Sequence, residues 1–134
     1  MLEQISIFAE NKKGAMKNIT KALSDNGINI FNVVTNDSAE YGIVRILVDD
    51  TKKAMVFLSN AGYLCNVSKV IGVVIPDSVG SLSSLLESIY DANINIDYIY
   101  VSYNRESAKP VAIIKAAGYT EVEACLKSKG YTIL

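Results

Sequence analysis

Gly27-Ile28-Asn29-Ile30 joins a helix-stopping glycine to an apolar, polar, apolar triplet, and the triplet returns as Ile94-Asn95-Ile96. The same shift carries Gly14 onto Gly80 and Ile5 onto Ile71, and superimposes the helical row Met16, Ile19, Leu23 on Leu82, Leu85, Ile89. So many coincidences at one constant shift mark an internal duplication. Further on the shift grows by two positions, so that Leu58 meets Leu126 and Gly62-Tyr63 meets Gly130-Tyr131, as small differences in hairpin and loop length produce.

Each half has the same order of elements. Ile5 to Ala9 alternates as a half-buried strand does and ends in the polar stretch Glu10 to Lys13. Apolar residues at 16, 19, 22 and 23 mark one face of a helix that stops at Asn26-Gly27, a C-cap pair. Strands are predicted over Asn29 to Thr35 and Ile43 to Val48, with the turn Asn36 to Glu40 between them. A helix from Thr51, with Ala54, Phe57, Leu58 and Ala61 on one face, then leads to the strand Tyr63 to Ser68. The second half predicts strand Val70 to Ile75, helix Ser81 to Ala92, strands Asn95 to Tyr103 and Val111 to Lys115, helix Glu121 to Lys129 and a clipped last strand, Tyr131 to Leu134.

Two βαββαβ units follow, an α+β fold of two tandem ferredoxin-like modules over residues 1–69 and 70–134, their antiparallel sheets expected side by side. Ser68-Lys69-Val70 carries one strand straight into the next, so a fixed arrangement is expected rather than a tether. A unit this small buries only about 60% of its unfolded surface. Pairing into a homodimer is therefore expected, with exposed sheet edges as the place for it.

Composition narrows the function. Half of the 134 residues are hydrophobic, and 13 Lys and Arg stand against 14 Asp and Glu, with no long basic run, which argues against nucleic acid as a partner. No apolar stretch approaches the ~20 residues of a membrane span, and Met1 to Glu10 lacks the blocks of a signal peptide, so the expected compartment is the cytoplasm. The chain has no histidine, the commonest general base and metal ligand, and Cys65 and Cys125 stand far apart and read as small buried hydrophobes. No catalytic group, metal site or cofactor is expected. The strand Gly42 to Val48 lacks the aromatic platform of an RNA-recognition domain, the loop Asn11 to Gly14 lacks the cysteine pair of a metallochaperone, and the only arginines, Arg45 and Arg105, lie outside that loop, where an acylphosphatase-like enzyme would need one.

Asn11-Lys12-Lys13-Gly14-Ala15-Met16 after a strand, with Gly27-Ile28-Asn29-Ile30 before the next, resembles the ACT domain, an amino-acid-binding regulatory module of biosynthetic enzymes. Asp77-Ser78-Val79-Gly80-Ser81-Leu82 with Ile94-Asn95-Ile96 repeats the pattern. The resemblance covers the whole chain and is to stand-alone tandem ACT proteins. It implies a free amino acid or similar small molecule held at an interface between modules, beside the first strand-to-helix loop. Asn11 and Asn29 match the polar positions that contact ligand in serine-binding members, whereas Ala9 stands where those members carry histidine.

The residues support that location by themselves. A glycine at the turn lets backbone approach a ligand, and the free N–H groups of a first helical turn suit an α-carboxylate. Asn11, Asn29, Asp77, Asn95 and Asp97 can accept from an α-ammonium. Plainer readings stand beside these: Asn29 and Asn95 as turn caps, Gly14 and Gly80 as turn formers, Lys12 and Lys13 as solvated loop. Tyr98 and Tyr100, alternating on one strand face with Tyr103 on the other, fit packing or a ligand wall. Of the two loops the first is favoured, because Asp77 would set a negative charge near the ligand's carboxylate. The competing function is a regulatory interaction subunit that docks on a metabolic enzyme and binds no ligand, and an exposed apolar patch would mark it.

Overall fold

The computed structural model describes residues 1–10, 12–35 and 41–134. The elements run β1 (Leu2–Glu10), α1 (Ala15–Asp25), β2 (Ile30–Thr35), β3 (Tyr41–Val48), α2 (Thr51–Asn60), β4 (Leu64–Val74), α3 (Ser81–Asp91), β5 (Tyr98–Asn104), β6 (Lys109–Lys115), α4 (Tyr119–Ser128) and β7 (Thr132–Ile133). This is the βαββαβ order twice. The chain divides into one unit of Glu3–Ser68 and another of Lys69–Leu134 together with Met1–Leu2.

In the first unit the strand order is β2-β3-β1-β4. β1 and β3 run antiparallel with Ile5 opposite Ile46, Ile7 opposite Val44 and Ala9 opposite Gly42. Because side chains alternate along a strand, Ile5, Ile7 and Ala9 share one face, where they pack with Val44, Ile46 and Val48 against Ile19 and Leu23 of α1 and Ala54 and Leu58 of α2. Asp50 opens α2 as its N-cap, accepting from the Lys53 N–H at 3.0 Å. A register shift between Ile30 and Asn32 kinks β2 at Phe31.

The second unit repeats this plan with β4 in the place of β1, flanked by β6 and β7, and with β5 beyond β6. Its core of Ile71, Val73, Leu85, Ile89, Ala112, Ile114, Val122 and Leu126 falls on the counterparts of the first. The duplicated hydrophobic rows of the sequence are thus the two cores. The clipped last strand leaves a short edge, and the chain's beginning completes it: the Met1 ammonium donates to the Leu134 carbonyl at 2.8 Å, and a Cβ on Gly72 would lie 2.9 Å from Leu2 Cδ1.

Several boundaries differ from the sequence expectation for local reasons. Tyr63 to Ser68 and Val70 to Ile75 merge into the single strand β4. β5 starts at Tyr98, so Asn95 precedes it; α3 ends with Asn93 in the left-handed region (φ 57°) and an Ile94 N–H to Ile89 carbonyl bond, which sets residues 94–97 apart as a link. Asn93 serves where the first unit uses Gly27 (φ 71°), asparagine being a non-glycine residue that tolerates this conformation. Asn29 likewise precedes β2. Both cysteines are half-buried rather than buried, and burial pushes the Cys65 thiol up from its ordinary value. The turn over residues 36–40 lies outside the described residues.

Leu58 and Leu126 are corresponding, fully buried leucines. Leu58→Ala and Leu126→Ala are each expected to cost about 2–5 kcal/mol, read as a lowered urea midpoint in equilibrium unfolding. An unchanged midpoint for either would show that its core is not the one described.

Candidate functional site

After β1 the chain turns tightly. The Lys12 N–H donates to the Glu10 carbonyl (2.9 Å) and the Ala15 N–H to the Lys12 carbonyl (3.2 Å), and Gly14 stands at the N-cap of α1 with φ 86° and ψ −3°. An L side chain is strained there, whereas glycine is not. Gly14 also has no side chain to cap the helix, so the first-turn N–H groups of α1 begin without a side-chain acceptor at the N-cap.

Beside this turn lies a groove of about 500 Å³ whose lining comes from four elements of one unit: Ala9 and Glu10 of β1, Gly14 to Lys17 at the start of α1, Thr35 of β2 and Gly42 to Val44 of β3, with Lys12 at its mouth. The strand register explains the space. Ala9 faces Gly42 across the β1–β3 pair, two of the smallest side chains at the sheet end beneath α1. Met16, half-buried, packs against the core next to it. Lys12 and Glu10 form an ion pair at 3.0 Å with both side chains more than half exposed; such pairs contribute about 0–1 kcal/mol and re-partner readily.

Of the residues singled out in the sequence, Lys12, Gly14, Ala15 and Met16 line this groove, and Lys13 is exposed in the same turn. Asn11 lies outside the described residues. Asn29 does not reach this groove within its unit. Its N–H donates to Asp49 Oδ1 (3.0 Å) and its carbonyl accepts from the Asp49 N–H (3.1 Å). It lines a separate recess of about 460 Å³ with Thr20, Ser24, Gly27, Ile28 and Ile30. That recess lies along the C-terminal half of α1, an 11-residue helix about 16 Å long, away from Gly14.

In the second unit Gly80 holds the same conformation as Gly14 (φ 87°), with Ser78 and Ser81 hydroxyls 2.7 Å apart across the turn. Asp77, Val79, Leu82 and Asn95 are all exposed. Tyr98 and Tyr100 are half-buried and stack with ring centroids 6.5 Å apart, while Tyr103 is exposed. Among the described residues no three His, Cys, Asp or Glu side chains gather as a metal site, and no helix is long and apolar enough to cross a membrane.

Sequence reasoning missed Glu10, Lys17, Thr35, Gly42, Ile43 and Val44. Lys17 had a usable signal, since it lies in the same helical turn as Gly14. The strand residues had none, because their opposition to Ala9 depends on the hairpin register.

Two βαββαβ units, each with a glycine-turned helix start, define a tandem ferredoxin-like module. The model of the ACT domain pair family matches residues 1–121, and the chain belongs to that family. A crystal structure of a Bacteroides thetaiotaomicron protein is similar over 99% of this chain and 91% of its own, at 28% identity and a TM-score of 0.92. The regulatory subunits of aspartate kinase from Thermus thermophilus (16% identity, 95% and 89% covered, TM-score 0.69) and Thermus flavus (16%, 96% and 94%, 0.65) share the fold. No curated protein matches the chain.

At both Gly14 and Gly80 an added Cβ would meet nothing within 4 Å. The cost of Gly14→Ala and Gly80→Ala is therefore backbone strain alone, about 1–2 kcal/mol each, measurable as a lowered melting temperature. A cost near zero would show that the left-handed turn is not needed.

Proposed function

We propose that the protein is a cytoplasmic, non-catalytic sensor that binds a free amino acid in the groove beside Gly14 and, as a homodimer, regulates a metabolic enzyme. The observation that carries this reading is the groove itself: concave space, within the usual range of about 300–1,000 Å³ for small-molecule sites, at a helix start whose N-cap is glycine. An α-carboxylate is the natural occupant of that helix start, and the Glu10 carboxylate and the amide of Asn11 are acceptors for an α-ammonium. The helix terminus supplies only about 0.3–1 kcal/mol when exposed, so useful affinity needs exclusion of water as well. A module of a second copy would exclude it. That arrangement also gives Asn29 a role, since only another module can bring it to a groove its own α1 keeps it from. The aspartate kinase regulatory subunits that share its fold fit a partner of this kind.

One observation favours a second reading for the second unit. Val79 before α3, and Leu82 and Tyr90 on it, are exposed apolar side chains at near-helical spacing. They suit a surface that docks on a metabolic enzyme, with no ligand bound at the Asp77 to Leu82 turn.

The test is a thermal-shift screen of the full chain against the twenty amino acids. A native-state ligand at 100 times its Kd adds about 2.7 kcal/mol of stability, so one amino acid or a chemically related few should raise the melting temperature. Asn11→Ala and Asn29→Ala are then each expected to weaken binding by about 1–3 kcal/mol, because each leaves a buried ligand group without its partner. No shift from any amino acid would rule out the sensor and leave the docking subunit.

A further inference from the structure

We infer that the groove beside Gly14 selects an amino acid carrying a second, side-chain carboxylate. This rests on the sensor reading above and names its ligand class. Among the described residues, the charged side chains lining the groove are Lys12, Lys17 and Glu10, a net single positive charge, with the positive end of α1 adding to it. An acidic amino acid at neutral pH is the complement: one ammonium and two carboxylates, a net single negative charge. Glu10 takes the ammonium, the first turn of α1 takes the α-carboxylate, and the side-chain carboxylate falls to the lysines. A neutral amino acid would make no ion pair with the groove lysines, and a basic one would add a like charge.

The duplication shows that this charge set is not there to build the turn. The two turns share the bonds that start the helix: Ala15 N–H to Lys12 carbonyl and Ser81 N–H to Ser78 carbonyl at 3.2 Å, Asn18 N–H to Gly14 carbonyl and Ser84 N–H to Gly80 carbonyl at 2.9 Å. Yet where the first unit has Glu10, Lys12 and Lys17, the second has Pro76, Ser78 and Ser83. The same backbone forms with none of the three charges, so their clustering at the groove reflects what the groove holds. The Glu10–Lys12 pair is exposed, so opening it to admit a ligand costs little.

The experiment is titration calorimetry of the full chain with aspartate, glutamate, asparagine and glutamine at low salt. The expected result is that an acid binds at least about ten-fold more tightly than its own amide, about 1.4 kcal/mol, and that the preference shrinks as salt rises. Lys17→Gln should abolish the preference, and Lys17→Arg should keep it. Amides binding as well as acids, a neutral or basic amino acid binding best, or a preference that survives in Lys17→Gln would overturn the inference and leave the amino-acid sensor standing. Binding of no amino acid would overturn both.

Discussion

The antiparallel pairing of β1 with β3 is the constraint on which the first unit depends. It sets Ile5 against Ile46 and Ile7 against Val44, and each of these is buried. Full burial of one such side chain contributes about 1.5–3 kcal/mol, and a slip of one residue would turn the whole set to the other face. The same register ends with Ala9 opposite Gly42, which is what opens the groove. Core and groove are therefore one choice: the apolar alternation that fixes the strands also fixes where two small residues meet at their end.

The duplication separates what the fold requires from what it leaves open. The buried rows correspond in kind, Ile5 with Ile71, Ile19 with Leu85, Leu58 with Leu126, and Gly14 and Gly80 agree in φ to within a degree. Outside the core the copies part. The start of α1 is rich in lysine, at Lys12, Lys13, Lys17 and Lys21, where the second copy has Ser78, Val79, Ser83 and Glu87. Surface charges of this sort contribute little to stability, so the two copies could diverge there without disturbing a shared framework.

The framework was legible because its signals are local and repeated. Helical spacing at 16, 19 and 23, the Asn26-Gly27 stop and the unbroken Ser68-Lys69-Val70 join all correspond to features of the structure. The site was legible only where it lies along the chain, at Lys12 and Gly14 to Met16. Gly42 and Thr35 reach it across the sheet, by a strand register that no sequence period reveals. Asn29 shows the limit of a motif: within one unit α1 runs between Gly14 and the Asn29 recess and keeps them at its two ends. Asn95 looked like a strand residue because Ile94 and Ile96 flank it, but those isoleucines pack on the core from a link rather than from a ladder.

The beginning of the chain shows how a small unit closes an incomplete core. β7 is only two residues long and pairs with β4 at Val73 and Val74 alone. Gly72, the next residue along β4, has no side chain with which to fill the space beside it; Leu2 and Leu134 both approach where its Cβ would be. A larger residue at position 72 would have to displace the Leu2 side-chain tip. The glycine and Leu2 are thus a fitted pair within the second unit, while Ile5, Ile7 and Ala9 further along β1 pack in the core of the first.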